Sequence, residues 1–370
     1  MSLGARPVPL SPVPLSLVPL GPAPINPAPI SPVRIGLVGY GTGGRYFHAP
    51  LISSLAGAVF AGVVTRSPER RVLLHREHPG VAACDSVTEL LSRGVDLVTV
   101  SIPPQQRTMI VHELIDAGIT VVVDKPFAMT VPEARELITH ANAAGVMLSV
   151  FQNRRWDSEA LTVARVAASG VLGTIRLVES ALDRWEPHSA NDQSGGGWLL
   201  DLGSHLVDQV LTIFGPAVTV FAELDRSGGI AGERSFLILI EHASGIQSRV
   251  SANSVQNSFG PRFKVSGDDA TLVITGLDIQ TDQVLAGETP ASLGAGWGVE
   301  PRERWAQIVR QHQVTEFERV SGDWMSFYRL TADAVRQGTA PPVTAESAFD
   351  TLVVLDAALR SWRTERVVRL

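Results

Sequence analysis

Hydrophobic and polar positions change their rhythm near residue 152 of this chain. Before it, short apolar runs rich in Val and Ile alternate with longer amphipathic stretches. Val33–Val38, Val59–Val64, Val95–Ile102, Ile119–Val123 and Met147–Phe151 read as strands. Tyr46–Leu55, Pro68–His75, Ser86–Ser92, Gln106–Ala117 and Val131–Ala144 read as the helices between them. Strands alternating with helices predict parallel βαβ units and a doubly wound sheet.

After residue 153 the pattern is different. Glu159–Ser169 reads as a helix and Gly173–Asp183 as a strand, followed by a helix through His205. Five strand-like runs then follow with short connections: Ala217–Glu223, Ser235–Glu241, Gly245–Ala252, Arg262–Gly267 and Ala270–Thr275. Short connections predict a mainly antiparallel sheet. Gly322–Gln337 and Ala345–Arg360 read as late helices, and Arg366–Leu370 as a last short strand. The fold class is therefore α/β, with residues 33–152 and 153–370 as its two domains.

Residues 1–32 stand outside this pattern. From Arg6 to Pro32 prolines alternate with small or apolar residues. Proline lacks an amide hydrogen and fixes its backbone angle, so an extended, polyproline-like tail is expected. The prolines also exclude a membrane-spanning helix there, and the segment lacks the unbroken apolar core of a signal peptide.

Composition narrows the function. Of 370 residues 45 % are hydrophobic and 18 % charged, which suits folded domains, and the net charge of −6 argues against nucleic acid as a partner. The single cysteine, Cys84, excludes an intrachain disulfide and a zinc site of the usual kind. No metal is expected, and a reducing, cytoplasmic setting is.

Gly39-Tyr40-Gly41-Thr42-Gly43-Gly44 follows a predicted strand and precedes a predicted helix. In that setting a GxGxxG pattern is a dinucleotide fingerprint. Gly39 permits the tight turn, Gly41 lets the backbone approach a pyrophosphate, and Gly44 lets helix and strand pack closely. The second strand ends in Thr65-Arg66-Ser67. NAD-preferring enzymes usually carry a carboxylate here; a cation with two hydroxyls suits the 2′-phosphate of NADP, although NAD remains possible. Asp124-Lys125-Pro126 follows the Ile119–Val123 strand, at the carboxyl end where ligands bind in open parallel sheets. A cis bond before Pro126 is possible. Within Asp201 to Val210, a helix would place Asp201, His205 and Asp208 on one face. A carboxylate one turn from an imidazole orients it and raises its basicity, as a general base requires. A buried polar cluster at a helix start is the structural alternative.

Together these motifs resemble the Gfo/Idh/MocA oxidoreductases, and the likeness runs from Val33 to the C-terminus. The resemblance implies an N-terminal Rossmann domain and a C-terminal α/β domain with an open sheet that makes homodimers or homotetramers. Phe47-His48-Ala49-Pro50-Leu51, Asn153 to Asp157, Asp201 to Gln209, and Gly260-Pro261-Arg262 are similar to its NADP-dependent scyllo-inositol dehydrogenase branch. It implies Lys125, Asp201 and His205 as the catalytic trio. Cofactor contacts are expected from Gly39 to Gly44, Thr65 to Ser67, Ser101, Pro103, Asp124, Lys125 and Asn153. Substrate contacts are expected from Lys125, Arg154, Asp201 and His205, with Asp208 anchoring the helix. Asp124 stands where the family usually has Glu, Arg107 where it often has His, and the segment Arg184–Gly195 looks short. The activity implied is hydride transfer between NADP and a secondary hydroxyl or ketone of a cyclitol, polyol or sugar, inositol-like in the first instance. A non-catalytic NADP-binding sensor of the same fold is the alternative, and membrane or nucleic-acid partners are not expected.

Overall fold

A computed structural model describes residues 31–186, 197–225 and 233–370. The proline-rich tail up to residue 30, Gly195, Gly196 and most of the short 184–195 segment lie outside the described residues.

The first sheet is six-stranded and wholly parallel. Its strands are β1 (Val33–Val38), β2 (Ala58–Val64), β3 (Ala83–Cys84), β4 (Leu97–Val100), β5 (Thr120–Asp124) and β6 (Leu148–Phe151), in the order β3-β2-β1-β4-β5-β6. Strand order reverses between β1 and β4, which opens a crevice at their carboxyl ends. The residues of β4 and β6 are all buried, as expected of strands covered on both faces. The connecting helices are α1 (Ala49–Ser54), α2 (Pro68–Glu77), α3 (Val87–Leu91), α4 (Arg107–Asp116) and α5 (Val131–Ala144). Helix α5 shows why its sequence stops and starts where it does. Thr130 accepts from the Glu133 amide at the N-terminus, and Gly145 ends the helix at φ +65°.

The second sheet has nine strands: β7 (Ile175–Asp183), β8 (Ala217–Asp225), β9 (Ser235–His242), β10 (Gln247–Asn253), β11 (Phe263–Gly267), β12 (Thr271–Ile274), β13 (Ala306–Arg310), β14 (Gln313–Phe317) and β15 (Val368–Arg369). They lie in the order β14-β13-β12-β11-β7-β10-β9-β8-β15, and every pair except β7–β10 is antiparallel. Burial alternates along β8, β9 and β10, so one face packs inward and the other is open. The inward face meets α8 (Gly203–Phe214) and α12 (Ala345–Thr364). Before them come α6 (Ser158–Ser169) and α7 (Gly197–Asp201), and between lie α9 (Gln280–Leu285), α10 (Pro290–Leu293) and α11 (Met325–Gln337).

Two features depart from the sequence reading. The helix expected from Tyr46 begins earlier, as a π-helical turn over Gly43–His48 that runs into α1. The hairpin β13–β14 was not anticipated, because β14 is largely exposed and carries no alternating pattern. Helices α11 and α12 return from the second half to pack on β1, β6 and α5. Trp324, Phe327 and Tyr328 are fully buried there. Among the described residues no helix is long and apolar enough to cross a membrane.

Candidate active site

The glycine turn closes the carboxyl end of β1. Gly39 has φ +100°, and a Cβ there would lie 2.2 Å from the Ser101 carbonyl oxygen. A Cβ on Gly44 would lie 2.1 Å from the Gly39 oxygen, and one on Gly43 would lie 2.6 Å from Ser101 Oγ. These glycines are required by the protein's own packing. Gly41 is different: the nearest atoms to a Cβ there belong to the Arg70 guanidinium, 3.8 Å away. Its outer side is left open, which fits close approach of a dinucleotide backbone. The Tyr40 side chain points inward. Its ring lies in a small core with Leu37, Ala49, Val63 and Leu74, and its hydroxyl donates to Glu77 at 3.0 Å. Burial and the neighbouring carboxylate push its phenol pKa up, so only its backbone is available to a cofactor.

At the end of β2 the three expected residues have different fates. Thr65 is buried, with its amide on the Cys84 oxygen and its carbonyl accepting from Arg71. Ser67 caps α2 and donates to Glu69 at 2.6 Å, so its hydroxyl is already engaged. Arg66 is exposed. Arg70, one turn along α2, supplies the cation beside Gly41 that the sequence reading missed. The signal was present: Ser67 followed by Pro68 marks a helix start, which puts Arg70 in the first turn, close to the end of β2.

Lys125 sits at the carboxyl end of β5, followed by a cis bond to Pro126. Arg107 is buried and holds this turn in place. Its guanidinium donates to the carbonyls of Asp124, Pro126 and Ile102, tying the loops after β4 and β5 together. That is the local answer to Arg in place of His. Asp124 accepts from Ser101 Oγ at 2.7 Å. Pro103 is exposed just beyond β4.

Across the crevice, the expected continuous helix is broken. α7 ends at Asp201 and α8 begins at Gly203, with Leu202 between them. The Asp201 carboxylate pairs with Lys125 Nζ. His205 is buried, and its Nδ1 has no hydrogen-bond partner among the described residues. Its pKa therefore moves opposite to the sequence expectation. Burial lowers it well below the ordinary histidine value, and the charges of Lys125, Arg154, Arg262 and Arg184 add to that. Asp208 accepts a bidentate pair from Arg155 at 2.8 and 2.6 Å.

Arg154 and Asn153 are buried in the turn after β6. Arg154 is already paired with Asp157 at 2.9 Å, and its carbonyl accepts from Gln209. Gln209 in turn accepts from Arg262 at 2.5 Å. The structure thus gathers Lys125, Asp201, His205 and the charge of Arg154 on one side of the crevice. The glycine turn, Arg66 and Arg70 belong to its β1–β2 side.

Comparison with known proteins agrees with this geometry. Residues 33–152 match a family model described as an oxidoreductase family NAD-binding Rossmann fold, and residues 167–370 match its C-terminal alpha/beta domain. The scyllo-inositol 2-dehydrogenase (NADP(+)) IolW of Bacillus subtilis is 28 % identical, covering 90 % of this chain and 95 % of that protein. A D-apiose dehydrogenase of Paraburkholderia graminis is 27 % identical over 77 % of this chain and 76 % of its own. The crystal structure of an oxidoreductase from Klebsiella pneumoniae superposes with a TM-score of 0.84 at 33 % identity, covering 92 % of this chain and 95 % of that one. The chain belongs to the Gfo/Idh/MocA oxidoreductase family, and it is an enzyme of the dehydrogenase type.

Proposed function

We propose that the protein is an NADP-preferring dehydrogenase that acts on a secondary hydroxyl, or the matching ketone, of a cyclitol, polyol or sugar. An inositol-like substrate is favoured, in keeping with the names of its relatives. The observation that carries this reading is His205: a buried imidazole whose Nδ1 has no partner among the described residues, within the electrostatic reach of Lys125, which pairs with Asp201 at the end of β5. When bound, the nicotinamide supplies the hydride acceptor or donor.

The chain's own residues account for the remaining chemistry. Gly39 to Gly44 form the cradle, with backbone groups turned to the phosphates. Arg66 and Arg70 offer two cations to a 2′-phosphate, while Thr65, Ser67, Ser101, Pro103, Asp124 and Asn153 frame the crevice. Lys125 Nζ donates to the reacting oxygen, and Asp201 holds that ammonium in place. His205 accepts the hydroxyl proton. Its lowered pKa keeps the ring neutral, and so able to accept, at neutral pH. Arg154 borders the substrate from the turn after β6. The open face of the second sheet, which carries Phe221, Leu237 and Leu239, is the surface for a homodimer or homotetramer. A cytoplasmic setting accords with the lone, buried Cys84.

The test is a panel of cyclitols, polyols and sugars, including scyllo-inositol and D-apiose, read at the nicotinamide absorbance band with NADP and with NAD. Turnover of a cyclitol or sugar with NADP favoured is the expected result. Tight cofactor binding with no turnover of any of them overturns the reading.

A further inference from the structure

His48 ends the π-helical turn and is fully buried. Its ring packs against Phe151 with centroids 4.2 Å apart. Nδ1 lies 2.7 Å from the Tyr328 hydroxyl on α11, and that hydroxyl lies 3.1 Å from Thr99 Oγ1 on β4. On the other side Nε2 is 3.3 Å from Asp124 Oδ2, a close charge contact whose N–H is not aligned as a hydrogen bond. The same Oδ2 accepts from Ser101 Oγ. Thr99, Tyr328, His48, Asp124 and Ser101 thus form one polar chain through an apolar core. It runs from a helix of the C-terminal half to the residue that precedes Lys125.

Chemistry assigns a direction to this chain. An ionised carboxylate only accepts, so the His48 nitrogen that faces Asp124 carries a proton. In the neutral ring Nδ1 then accepts from Tyr328, whose oxygen accepts from Thr99. Burial keeps the Tyr328 phenol protonated by pushing its pKa far up. Burial would also raise the Asp124 carboxyl, but the contact with His48 and the charges of Arg107 and Lys125 outweigh it and hold the group ionised. If His48 offered no donor, the cations left beside that carboxylate would be Arg107, already committed to the carbonyls of Asp124, Pro126 and Ile102, and the adjacent Lys125.

We propose that His48 is a positioning residue for Lys125. By holding the Asp124 carboxylate on the Ser101 side of the crevice, it leaves the Lys125 ammonium to Asp201 and the reacting oxygen. Through Tyr328 it makes that placement depend on how α11 docks on the first sheet. The role of Lys125 in turnover rests on the dehydrogenase reading; its placement does not.

The test uses the full chain with His48→Asn, His48→Gln and Tyr328→Phe. Gln carries a donor near the Nε2 position and keeps the contact to Asp124, whereas Asn reaches only the Nδ1 position. Acylation of Lys125 by acetic anhydride, followed by peptide mass spectrometry without substrate, is expected to slow about 3- to 10-fold in His48→Asn as a second carboxylate turns to the ammonium. His48→Gln should stay near wild type. With NADP and a polyol that is turned over, kcat of His48→Asn should fall about 10- to 100-fold through misplacement of the ammonium. The KM for NADP should stay within about threefold, because the interaction lost acts after binding. Tyr328→Phe should move both readouts the same way by less. Unchanged acylation in His48→Asn, or equal kcat losses in His48→Asn and His48→Gln, overturns the proposal. If His48→Asn does not fold, Tyr328→Phe decides, since it keeps the ring: wild-type values in both readouts overturn it. A wild-type chain that turns over no polyol removes the dehydrogenase reading and leaves the acylation rates to decide on His48.

Discussion

His205 and Lys125 illustrate how single residues divide the work of the crevice. A neutral imidazole is a proton acceptor, so removing it should strip turnover without touching cofactor binding. His205→Ala is expected to lower kcat by about 10²- to 10⁴-fold, with NADP affinity unchanged in a fluorescence titration. The pH dependence has a definite sign. The folded-state pKa of His205 lies well below 6.5, so the base form persists on acidification. The acid limb of kcat/KM for hydroxyl oxidation should therefore fall below the ordinary histidine range. A limb at or above that range would show that a carboxylate supports the imidazole after all. At the other end of the crevice, Arg66→Ala with Arg70→Ala should weaken NADP about tenfold or more relative to NAD, the scale of lost charge-assisted hydrogen bonds. Equal losses for both cofactors would remove the 2′-phosphate assignment.

At the scale of elements, α8 is the support for His205, and its position depends on a buried ion pair. Asp208 is held by Arg155 from the turn after β6, and Thr351 on α12 lies 3.3 Å from the same carboxylate. Asp208→Ala leaves a mostly buried guanidinium unpaired and should cost about 3–5 kcal/mol in denaturant unfolding. A loss below about 1 kcal/mol, the scale of a surface pair, would show that α8 is held by its apolar face alone. The glycine turn is more constrained still. A methyl on Gly44 would press on the Gly39 carbonyl, so Gly44→Ala should weaken cofactor binding and stability together.

The whole molecule has two exposed consequences. Burial lowers the pKa of His78, His205 and His242 alike. Unfolding frees these rings to take up protons, so the unfolded state binds more protons than the folded one below about pH 6.5. The histidine share of stability is full above that value and lost as pH drops, whereas the buried Asp157 and Asp278 carboxyls, raised by burial, contribute in the opposite direction. His242→Asn should therefore make Tm fall less between about pH 7 and pH 5 than in the wild type in calorimetry; an unchanged pH slope would contradict the neutral state of that ring. The open face of the second sheet is the other consequence. Leu239 on β9 points from it toward solvent and is 37 % exposed. If this face joins protomers as proposed, Leu239→Glu should shift the sedimenting species toward monomer in analytical ultracentrifugation while leaving the fold intact; an assembly unaltered by the substitution would remove this face as the interface.

Local pattern carried much of this protein. Short β-branched runs alternating with helical stretches marked the parallel sheet, because parallel neighbours need a crossover between them. The alternation in β8 to β10 marked the one-sided sheet, because only one of its faces packs inward. The glycine turn, Lys125 and His205 stood out as candidates because the chemistry proposed for them depends on residue type and on position beside a strand end or a helix start. Exposed elements such as β14 left no such trace. The pairing of side chains was decided only in three dimensions. Spacing placed Asp201 beside His205, but the Asp201 carboxylate pairs with Lys125 from the other sheet, and the buried imidazole lies among cations. Arg70, Arg107 and the His48–Tyr328 contact likewise join residues whose neighbours come from other elements. A helix period relates positions within one turn; which charge meets which across a crevice is set by how the two sheets and their helices pack.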